Sequence, residues 1–580
     1  MAMAARMMSC CATATARLCR AAVVDRAQCL GSVQRLSAAA VVLDGRVVRE
    51  ERVRIRRIHR KVECSSAGLN AVSETGGAES GVQIQLYNTM KRQKELFRPI
   101  VPGKVSMYVC GVTSYDYSHI GHARVYVAFD VLFRYLKSVG YDVTYVRNFT
   151  DIDDKIINRA NELGEDPVKL SRRFCDEFQV DMELLRCLPP NVEPRVTDHI
   201  PQIVEMISKI IENGNAYVME GGDVYFSVDT LPSYGCLSGR KQEENRAGER
   251  VTVDNRKQNP ADFALWKSTK PGEPAWDSPW GSGRPGWHIE CSAMSAEHLG
   301  YKFDIHGGGM DLVFPHHENE IAQSCAACAD SRVSYWLHNG FVTVDSEKMS
   351  KSLGNFFTIR EVLELYHPLA LRWFLLGTHY RSPVNYSKRQ LELASDRIFY
   401  LYQALADCEQ VMSEQDSKVT GGNPSKEAAE LVTSFKTTFK SSMADDLHTP
   451  VVVSSFSDPL KFMNNLLHTR KGRKDKSRVA SLQLLMAKIE EVLSILGFQV
   501  PSYSKVLDEI KILALKRAGL SMDDLAARFQ ERAAAREAKD YARSDQIRSE
   551  LAAVGIALMD GGDGTLWRPA AVAEEQLQTA

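Results

Sequence analysis

The stretch VSMYVCGVTSYDYSHIGHAR, from Val105 to Arg124, carries the pattern that decides the fold of this chain. Its first part, Val105 to Val109, is apolar and rich in β-branched and aromatic residues, which predicts a strand. The strand is expected to end at Cys110, with a turn at Gly111. A short polar loop follows.

A helix and then a second strand are expected after this loop. Apolar residues recur on one helical stripe at Val125, Phe129, Leu132 and Leu136. Gly140 ends the helical pattern, and the apolar run from Val143 to Phe149 predicts the next strand. A parallel β-α-β unit of this kind binds its ligand at the carboxyl ends of the strands, where the helix N-terminus offers free N–H groups to phosphate.

The tetrad His119-Ile120-Gly121-His122 lies where that ligand would bind. Gly121 lets a flat ring or a phosphate approach the backbone, and His119 and His122 can donate to anionic oxygens. A motif this short is equally well interpreted, when alone, as a helix start with partly exposed histidines.

A second motif lies in the segment DSEKMSKSLGN, which contains Lys348 and Lys351. Two lysines three positions apart on a small-residue loop can contact a polyphosphate. Taken alone, this segment is better interpreted as a solvated basic turn.

Length and composition limit the classes of protein. A chain of 580 residues exceeds the roughly 250 at which one core stops growing, so several domains are expected. The formal net charge of −1 gives no overall basic bias, so a nucleic acid would contact a local patch. No apolar run approaches the ~20 residues of a membrane span, so no membrane partner is expected. Thirteen irregularly spaced cysteines favour reduced thiols, with a possible metal site, over a disulfide framework.

Residues 1–80 differ in composition from the rest of the chain. The first part holds several arginines and one acid: Arg6, Arg17, Arg20, Arg26, Arg35 and Asp25. An arginine-rich, acid-poor leader is typical of a transit peptide for the mitochondrion or the chloroplast. A disordered extension of a cytoplasmic protein is the alternative.

The two motifs, in this order, resemble the signature pair of the class I aminoacyl-tRNA synthetases. The opening IQLYNTMKRQKELFRPIVPGKVSMYVCG, from Ile84 onward, resembles the cysteinyl-tRNA synthetase family. The resemblance covers about residues 84 to 568. It implies an α/β fold: a Rossmann-like class I synthetase catalytic domain with an inserted connective segment, followed by an α-helical bundle and a small C-terminal domain.

The resemblance also implies domain boundaries. The leader and its linker are expected to occupy residues 1–80. The catalytic domain is expected at 84–363, with the insertion at about 197–285 and the lysine loop at 348–352. The helical bundle, which would bind tRNA, is expected at 364–500. The small domain on the anticodon side is expected at 505–580.

Two different sets of residues are candidates for a metal site. His316 and Glu320 are four apart in a helical run after Pro315, so they project from one face. Cys325 and Cys328 form a CxxC, but no second ligand pair lies nearby, and buried helix packing explains them better.

The resemblance favours the dispersed set, which spacing alone cannot assemble. It implies that Cys110, Cys291 in GWHIEC, and His316 and Glu320 in FPHHENE hold one Zn²⁺ per chain. Zinc binds sulfur, imidazole nitrogen and carboxylate oxygen, and it would distinguish a substrate thiol from a hydroxyl.

The resemblance also implies a pocket for the substrate cysteine formed by Thr150, Trp287 and His306. Each has an ordinary structural alternative: a cap at a strand end, a core aromatic ring and a hydrogen-bonded buried histidine.

The implied reaction uses Mg-ATP, L-cysteine and tRNA(Cys). His119, Gly121 and His122 would bind ATP, with the two histidines stabilising the α-phosphate in the transition state. Lys348 and Lys351 would stabilise the departing pyrophosphate. The aminoacyl group would then pass to the 3′-terminal ribose of the tRNA.

The C-terminal segment AAAREAKDYARSDQIRSELAAVGIALMDGGDGTLWR resembles the family's small domain near the anticodon. The positions that fit its pattern are Arg536, Asp545, Asp560 and Trp567. Such side chains can read bases by hydrogen bonding or stacking. The protein is expected to be a monomer. A cysteine ligase of the mycothiol type, a general nucleotidyltransferase and a non-catalytic tRNA-binding paralogue are the functional alternatives.

Overall fold

The computed structural model describes residues 83–240, 256–344, 347–349, 356–414, 422–561 and 564–572. The predicted leader and Lys351 lie outside these described residues. Within this part of the chain, no helix combines the length and the apolar character needed to cross a bilayer.

The strands, in chain order, are β1 (Gln85–Asn88), β2 (Gln93–Leu96), β3 (Lys104–Thr113), β4 (Asp142–Thr150), β5 (Ala216–Val218), β6 (Val224–Phe226), β7 (Phe263–Ser268), β8 (Gly283–Pro285), β9 (Lys302–Gly309), β10 (Arg332–Asn339), β11 (Val342–Val344), β12 (Glu347–Lys348), β13 (Val384–Tyr386), β14 (Ile556–Gly561) and β15 (Gly564–Pro569).

The α-helices are α1 (Ile120–Ser138), α2 (Asp154–Leu163), α3 (Pro167–Leu184), α4 (Ile200–Glu212), α5 (Trp287–Leu299), α6 (Glu318–Ala327), α7 (Ile359–Leu363), α8 (Pro368–Leu376), α9 (Lys388–Ser413), α10 (Lys426–Ala444), α11 (Thr449–Ser455), α12 (Ser457–His468), α13 (Arg470–Arg473), α14 (Arg478–Ile495), α15 (Tyr503–Ala518), α16 (Met522–Glu537) and α17 (Tyr541–Ala553).

A four-stranded parallel sheet, ordered β10-β9-β3-β4, forms the centre of the catalytic part. Helix α1 connects β3 to β4, so the predicted strand-helix-strand unit is confirmed. Phe129, Leu132 and Leu136 of α1 are buried in the core on its side of the sheet. All four strands therefore present their carboxyl ends at one edge.

Strand β3 continues past its predicted end. It runs to Thr113, and its pairing with β4 shifts register between Val109 and Val112. A Cβ at Gly111 would lie 1.5 Å from the carbonyl oxygen of Asn148. The absence of a side chain at Gly111 therefore allows a bulge where a turn was expected.

Two of the other sheets in the described residues have four and three strands. The antiparallel sheet β5-β6-β7-β8 lies in the chain between β4 and α5, within the range expected for the insertion. The sheet β12-β11-β13 joins the start of the lysine segment to the chain after α8, because β11 pairs with both β12 and β13.

The remainder of the described chain is mainly helical, from α8 to α17. Serine side chains begin several of these helices: Ser387, Ser425, Ser502 and Ser521 each accept a backbone N–H of the first turn. A cap of this kind stabilises a helix by about 1 kcal/mol. Helices α16 and α17 pack with the antiparallel hairpin β14–β15 around a separate small core.

Candidate active site and metal centre

The candidate site lies at the carboxyl edge of the parallel sheet. Strand β3 supplies Cys110, β4 supplies Thr150 as its last residue, and β9 supplies His306. Helix α5 contributes Cys291, and His316 and Glu320 come from the turn and helix that follow β9. Segments that are distant in the chain thus converge because parallel strands end at the same edge.

Cys110, Cys291, His316 and Glu320 form a compact buried group, with side-chain ligand atoms all within 4.8 Å of one another. The sulfur atoms of Cys110 and Cys291 are 3.7 Å apart, and Cys110 Sγ is 3.5 Å from Glu320 Oε1. The Nε2 atom of His316 is 3.2 Å from the same carboxylate oxygen. Two sulfurs, one imidazole and one carboxylate fit the preferences of zinc.

The charges in this group favour an anionic sulfur at Cys291. The hydrogen bond from the Cys110 thiol, assisted by nearby His316, lowers the pKa of Cys291 to about 6. Burial opposes ionisation of Glu320, but the neighbouring His306 and His316 outweigh it and lower the pKa of that carboxyl. Burial raises the pKa of Cys110, which acts as the hydrogen-bond donor. A metal ligand must be deprotonated, and Cys291 is therefore the thiol best prepared to bind.

Three histidines that the sequence did not single out surround this group. His288 Nδ1 lies 2.9 Å from His316 Nδ1, and His317 Nδ1 lies 2.8 Å from His338 Nε2. Cys110, His306, His317 and Glu320 form a second possible ligand set. The two sets share Cys110 and Glu320, so they describe alternatives at one location. Only the proximity of His288 and His317 to ligand positions in the sequence could have indicated them.

The residues expected to form the substrate pocket lie next to this group of possible ligands. The ring of Trp287 is partly exposed and stacks on His316 with centroids 4.4 Å apart. His306 Nε2 lies 2.8 Å from Glu320 Oε2. Thr150 Oγ1 donates to Glu290 Oε2 over 2.9 Å, which brings in a buried carboxylate that the sequence had not suggested.

The histidine tetrad lies at the start of α1: His119 precedes the helix, and Ile120, Gly121 and His122 form its first turn. The rings of His119 and His122 stack at 3.7 Å, and the His119 amide donates to His122 Nδ1 over 3.4 Å. A Cβ at Gly121 would lie 2.7 Å from the His119 ring and 3.7 Å from Met349 Cε. Gly121 therefore permits close packing of the tetrad and the lysine segment.

Backbone contacts also join the two motifs. The Ile120 amide donates to the Phe357 carbonyl over 3.2 Å, and the Ile359 amide donates to the Ser118 carbonyl over 2.8 Å. Lys348 lies in β12, where it pairs with Thr343 of β11. The segments on both sides of the lysine loop are thus fixed close to the tetrad.

The CxxC differs from the compact group. Helix α6 ends at Ala327, so Cys328 lies just past it, and both thiols are partly exposed, whereas buried packing was expected. Burial, and then proximity to Cys328, raise the pKa of Cys325. Neither residue belongs to a possible metal-ligand group among the described residues.

The four C-terminal candidates lie on different parts of the small domain. Asp560 of β14 forms ion pairs with Arg532 at 2.7 Å and with Arg536 at 3.1 Å. The hydrogen bond from Arg532 lowers the pKa of Asp560 to about 2. Asp545 is exposed on α17, and Trp567 packs partly against the small core. Both oxygens of the Asp560 carboxylate accept from Arg532, so this ion pair holds the carboxylate in place.

Comparisons with known proteins agree with this geometry. A family model described as tRNA synthetases class I (C) catalytic domain matches residues 96–396. Another, described as Cysteinyl-tRNA ligase anticodon binding domain, matches residues 523–568.

Among curated relatives, the chain is 66% identical over 503 residues to the chloroplastic/mitochondrial cysteine–tRNA ligase of Arabidopsis thaliana, covering 87% of this chain and 89% of that one. It is 54% identical over 497 residues to cysteine–tRNA ligase 2, cytoplasmic, of the same plant, covering 84% and 97%. It is 50% identical over 485 residues to the cysteine–tRNA ligase of Trichlorobacter lovleyi, covering 84% and 99%.

Among solved structures, the Mycobacterium tuberculosis methionyl-tRNA synthetase in complex with methionyl-adenylate matches with a TM-score of 0.52 at 16% identity. The match covers 73% of this chain and 96% of that one. This likeness shows the class I fold. With the family models and the relatives, it leads to one conclusion: the chain belongs to the cysteine–tRNA ligase family of the class I tRNA synthetases.

Proposed function

We propose that this chain is a cysteine–tRNA ligase, which activates L-cysteine with ATP and transfers it to the 3′ end of tRNA(Cys). The observation that carries this proposal is the buried group of Cys110, Cys291, His316 and Glu320. It lies at the same sheet edge from which the chain enters the His119–His122 loop. A general nucleotidyltransferase would have no need of such a group.

We further propose that the group holds one Zn²⁺. Its two sulfurs, one nitrogen and one carboxylate oxygen are the donors that zinc prefers. When bound there, zinc would hold the substrate sulfur as thiolate and would select it over a hydroxyl. Trp287, stacked on His316, would form the wall against which the substrate packs.

We also propose that Thr150 and Glu290 orient the amine of the substrate. Thr150 is the last residue of β4, and its hydroxyl already donates to the Glu290 carboxylate. A buried carboxylate oxygen can accept from an ammonium group, and the threonine hydroxyl restricts the rotation of that carboxylate.

Activation joins the cysteine carboxylate to the α-phosphate of Mg-ATP and releases pyrophosphate. Such a transfer depends on positioning and on stabilisation of charge. His119 and His122 would donate to the α-phosphate oxygens, with Gly121 leaving room for the nucleotide. Lys348 and Lys351 would neutralise the pyrophosphate.

Transfer requires tRNA, and the C-terminal match at 523–568 supports this partner. We propose that tRNA contacts the two C-terminal domains expected from the sequence, which are the helical bundle at 364–500 and the small domain at 505–580. Arg536, which is exposed on α16, and Trp567 are our candidates for contacts with the anticodon.

The leader's composition, together with relatives named chloroplastic/mitochondrial, supports import into one or both of these organelles. Expression of the full chain fused to a fluorescent protein in plant cells tests this proposal. Fluorescence confined to the cytosol would contradict it.

The decisive experiment for the activity is ATP–pyrophosphate exchange by the full chain with each amino acid in turn. We expect exchange with cysteine and at least about 10⁴-fold less with serine, the range reached by sites that reward one substrate group. Charging of tRNA(Cys) transcripts then tests the second step. Folded, zinc-loaded protein without cysteine-dependent exchange would overturn the proposal.

A further inference from the structure

The turn after α10 contains two residues in an unusual backbone conformation. Asp446 and Leu447 have φ values of 58° and 55°, in the left-handed region that favours glycine, although both carry a side chain. Both residues are buried. Such a conformation persists only where surrounding contacts hold it, and it points to a role for the residues involved.

The carboxylate of Asp446 binds two segments of the catalytic part. It accepts the Tyr87 amide over 2.9 Å, the Tyr380 hydroxyl over 2.7 Å and Arg381 Nε over 2.7 Å. The Asp446 amide also donates to the Gln85 carbonyl over 2.9 Å. One buried residue of the helical part thus holds both β1 and the segment after α8.

The segment held by Asp446 leads directly to the lysine strand. The Tyr380 carbonyl accepts the Gly340 amide over 2.8 Å, and the Val384 amide donates to the Phe341 carbonyl over 2.9 Å. Strand β13 then pairs with β11, and β11 pairs with β12, which carries Lys348. Continuous backbone pairing therefore connects Tyr380 and Arg381 to the start of the lysine loop.

The same segment is fixed from the side of the histidine tetrad. Arg124, in the first turns of α1, is buried and donates to the carbonyls of Thr378 and Ser382 over 3.2 Å each and of His379 over 2.6 Å. The segment 378–384 is therefore a junction of the tetrad helix, the lysine strand and the helical bundle.

We propose that Asp446 is a positioning residue for ATP activation: by holding Tyr380 and Arg381 it sets the strand that carries Lys348 opposite the histidine tetrad. It touches neither substrate nor reacting atoms. The inference rests on the proposed function, because only ATP-dependent activation gives Lys348 a phosphate to contact.

The test is Asp446→Asn in the zinc-loaded full chain, assayed by ATP–pyrophosphate exchange. Asparagine keeps the size of the side chain but removes the charge opposite Arg381. We expect kcat/KM for ATP to fall about tenfold, in the range of residues that act through a connected network. The KM for cysteine should change by less than about twofold on the same reasoning, because the thiol-binding group is untouched.

Asp445→Asn is the matched control. Asp445 is the adjacent acid, is exposed and pairs with Lys94 on the surface, so its kinetics should remain those of the wild type. If Asp446 only supported folding, its substitution would lower the fraction of active enzyme. The apparent kcat would then fall by the same factor whether ATP or cysteine is varied, and neither KM would change. Titration of the adenylate formed in a single turnover measures that fraction.

Arg381→Gln keeps the inference testable if the aspartate variant fails to fold, since Arg381 is partly exposed. It should show the same ATP-specific loss, and the double variant should lose no more than either single variant. Wild-type protein without exchange would overturn the proposed function itself. Wild-type exchange with an unchanged ATP KM and kcat in folded Asp446→Asn or Arg381→Gln would overturn this inference alone.

Discussion

Two pairs of cysteines in this chain differ in their separation along the sequence and in the possible metal ligands that surround them. Cys110 and Cys291 are 181 positions apart, yet their sulfurs are 3.7 Å apart and share His316 and Glu320 as neighbours. Cys325 and Cys328 are near neighbours in the chain, but they gain no imidazole or carboxylate partner for a metal among the described residues. The difference shows that a cluster of possible metal ligands depends on which strand ends and helices converge, and that short spacing does not suffice.

The largest expected effect separates the two pairs by function. Cys291→Ser should reduce kcat/KM for cysteine in pyrophosphate exchange by at least about 10³-fold, because it removes the thiolate that we propose as a zinc ligand and as the basis for selection of the substrate sulfur. The bound zinc, measured by atomic emission, should fall with it. Cys325→Ser is the matched control and should keep both within about twofold, as expected for a residue outside the site. Equal losses of kcat/KM and of bound zinc in Cys291→Ser and Cys325→Ser would show that the two cysteine pairs do not differ in function.

A smaller effect is expected one contact away from the ligands. His288 lies against His316, and a partner of that kind orients a ligating imidazole. His288→Ala should weaken zinc binding about 10- to 100-fold, as measured by competition with a chromogenic chelator.

The control for this variant is His298→Ala, on the same helix α5. His298 pairs with His199 and is in neither of the possible ligand sets found among the described residues, so this substitution should leave zinc affinity unchanged. A loss of affinity in His298→Ala as large as that in His288→Ala would mean that α5 is generally destabilised.

The two pairs should also differ in how their reactivity depends on pH. With the hydrogen bond from Cys110 lowering its pKa to about 6, Cys291 of metal-depleted protein should be a thiolate at pH 7. Its rate of modification by a small methanethiosulfonate should decline as pH falls through about 6. Burial raises the pKa of Cys325, so its rate should still be rising above pH 9.

Site-resolved mass spectrometry at several pH values measures both rates. Cys110→Ala supplies the check on the cause, because removal of the hydrogen-bond donor should move the midpoint for Cys291 upward. An unchanged midpoint would show that Cys110 does not control the ionisation of Cys291.

The smallest effect is expected from Cys325→Ser combined with Cys328→Ser. Both thiols are partly exposed and belong to no possible metal-ligand group among the described residues, so the free energy of unfolding should change by less than about 1 kcal/mol. Urea denaturation of the full chain measures this change. A much larger loss would show that this pair supports the fold.

The sequence predicted what local patterns encode. The spacing of Phe129, Leu132 and Leu136 gave the helix, and the apolar run after Gly140 gave the strand, since each depends on neighbours within the element. The prediction that β3 ends at Cys110 was wrong, because the bulge at Gly111 depends on Asn148 in the adjacent strand. The residues alone could pair only His316 with Glu320, and the resemblance was needed to add Cys110 and Cys291. The sequence analysis missed His338 and Glu290, because their spacing in the chain does not indicate that the fold places them at the candidate site.

The bulge at Gly111 has a consequence for changes in chain length. Tyr108 and Cys110 face the core beside α5, while Val109 and Val112 both face the core beside α1. Gly111 is thus the extra residue: if it is left out, Val109, Cys110 and Val112 alternate regularly between the two faces. Deleting Gly111 would therefore leave Val109, Cys110 and Val112 on their present faces and make the pairing with β4 regular, whereas deleting a neighbouring residue of β3 would turn the side chains that follow it to the opposite face. A single-codon deletion at Gly111 should therefore disturb the positions of Cys110 and Val112 less than the same deletion at a neighbouring position of the strand.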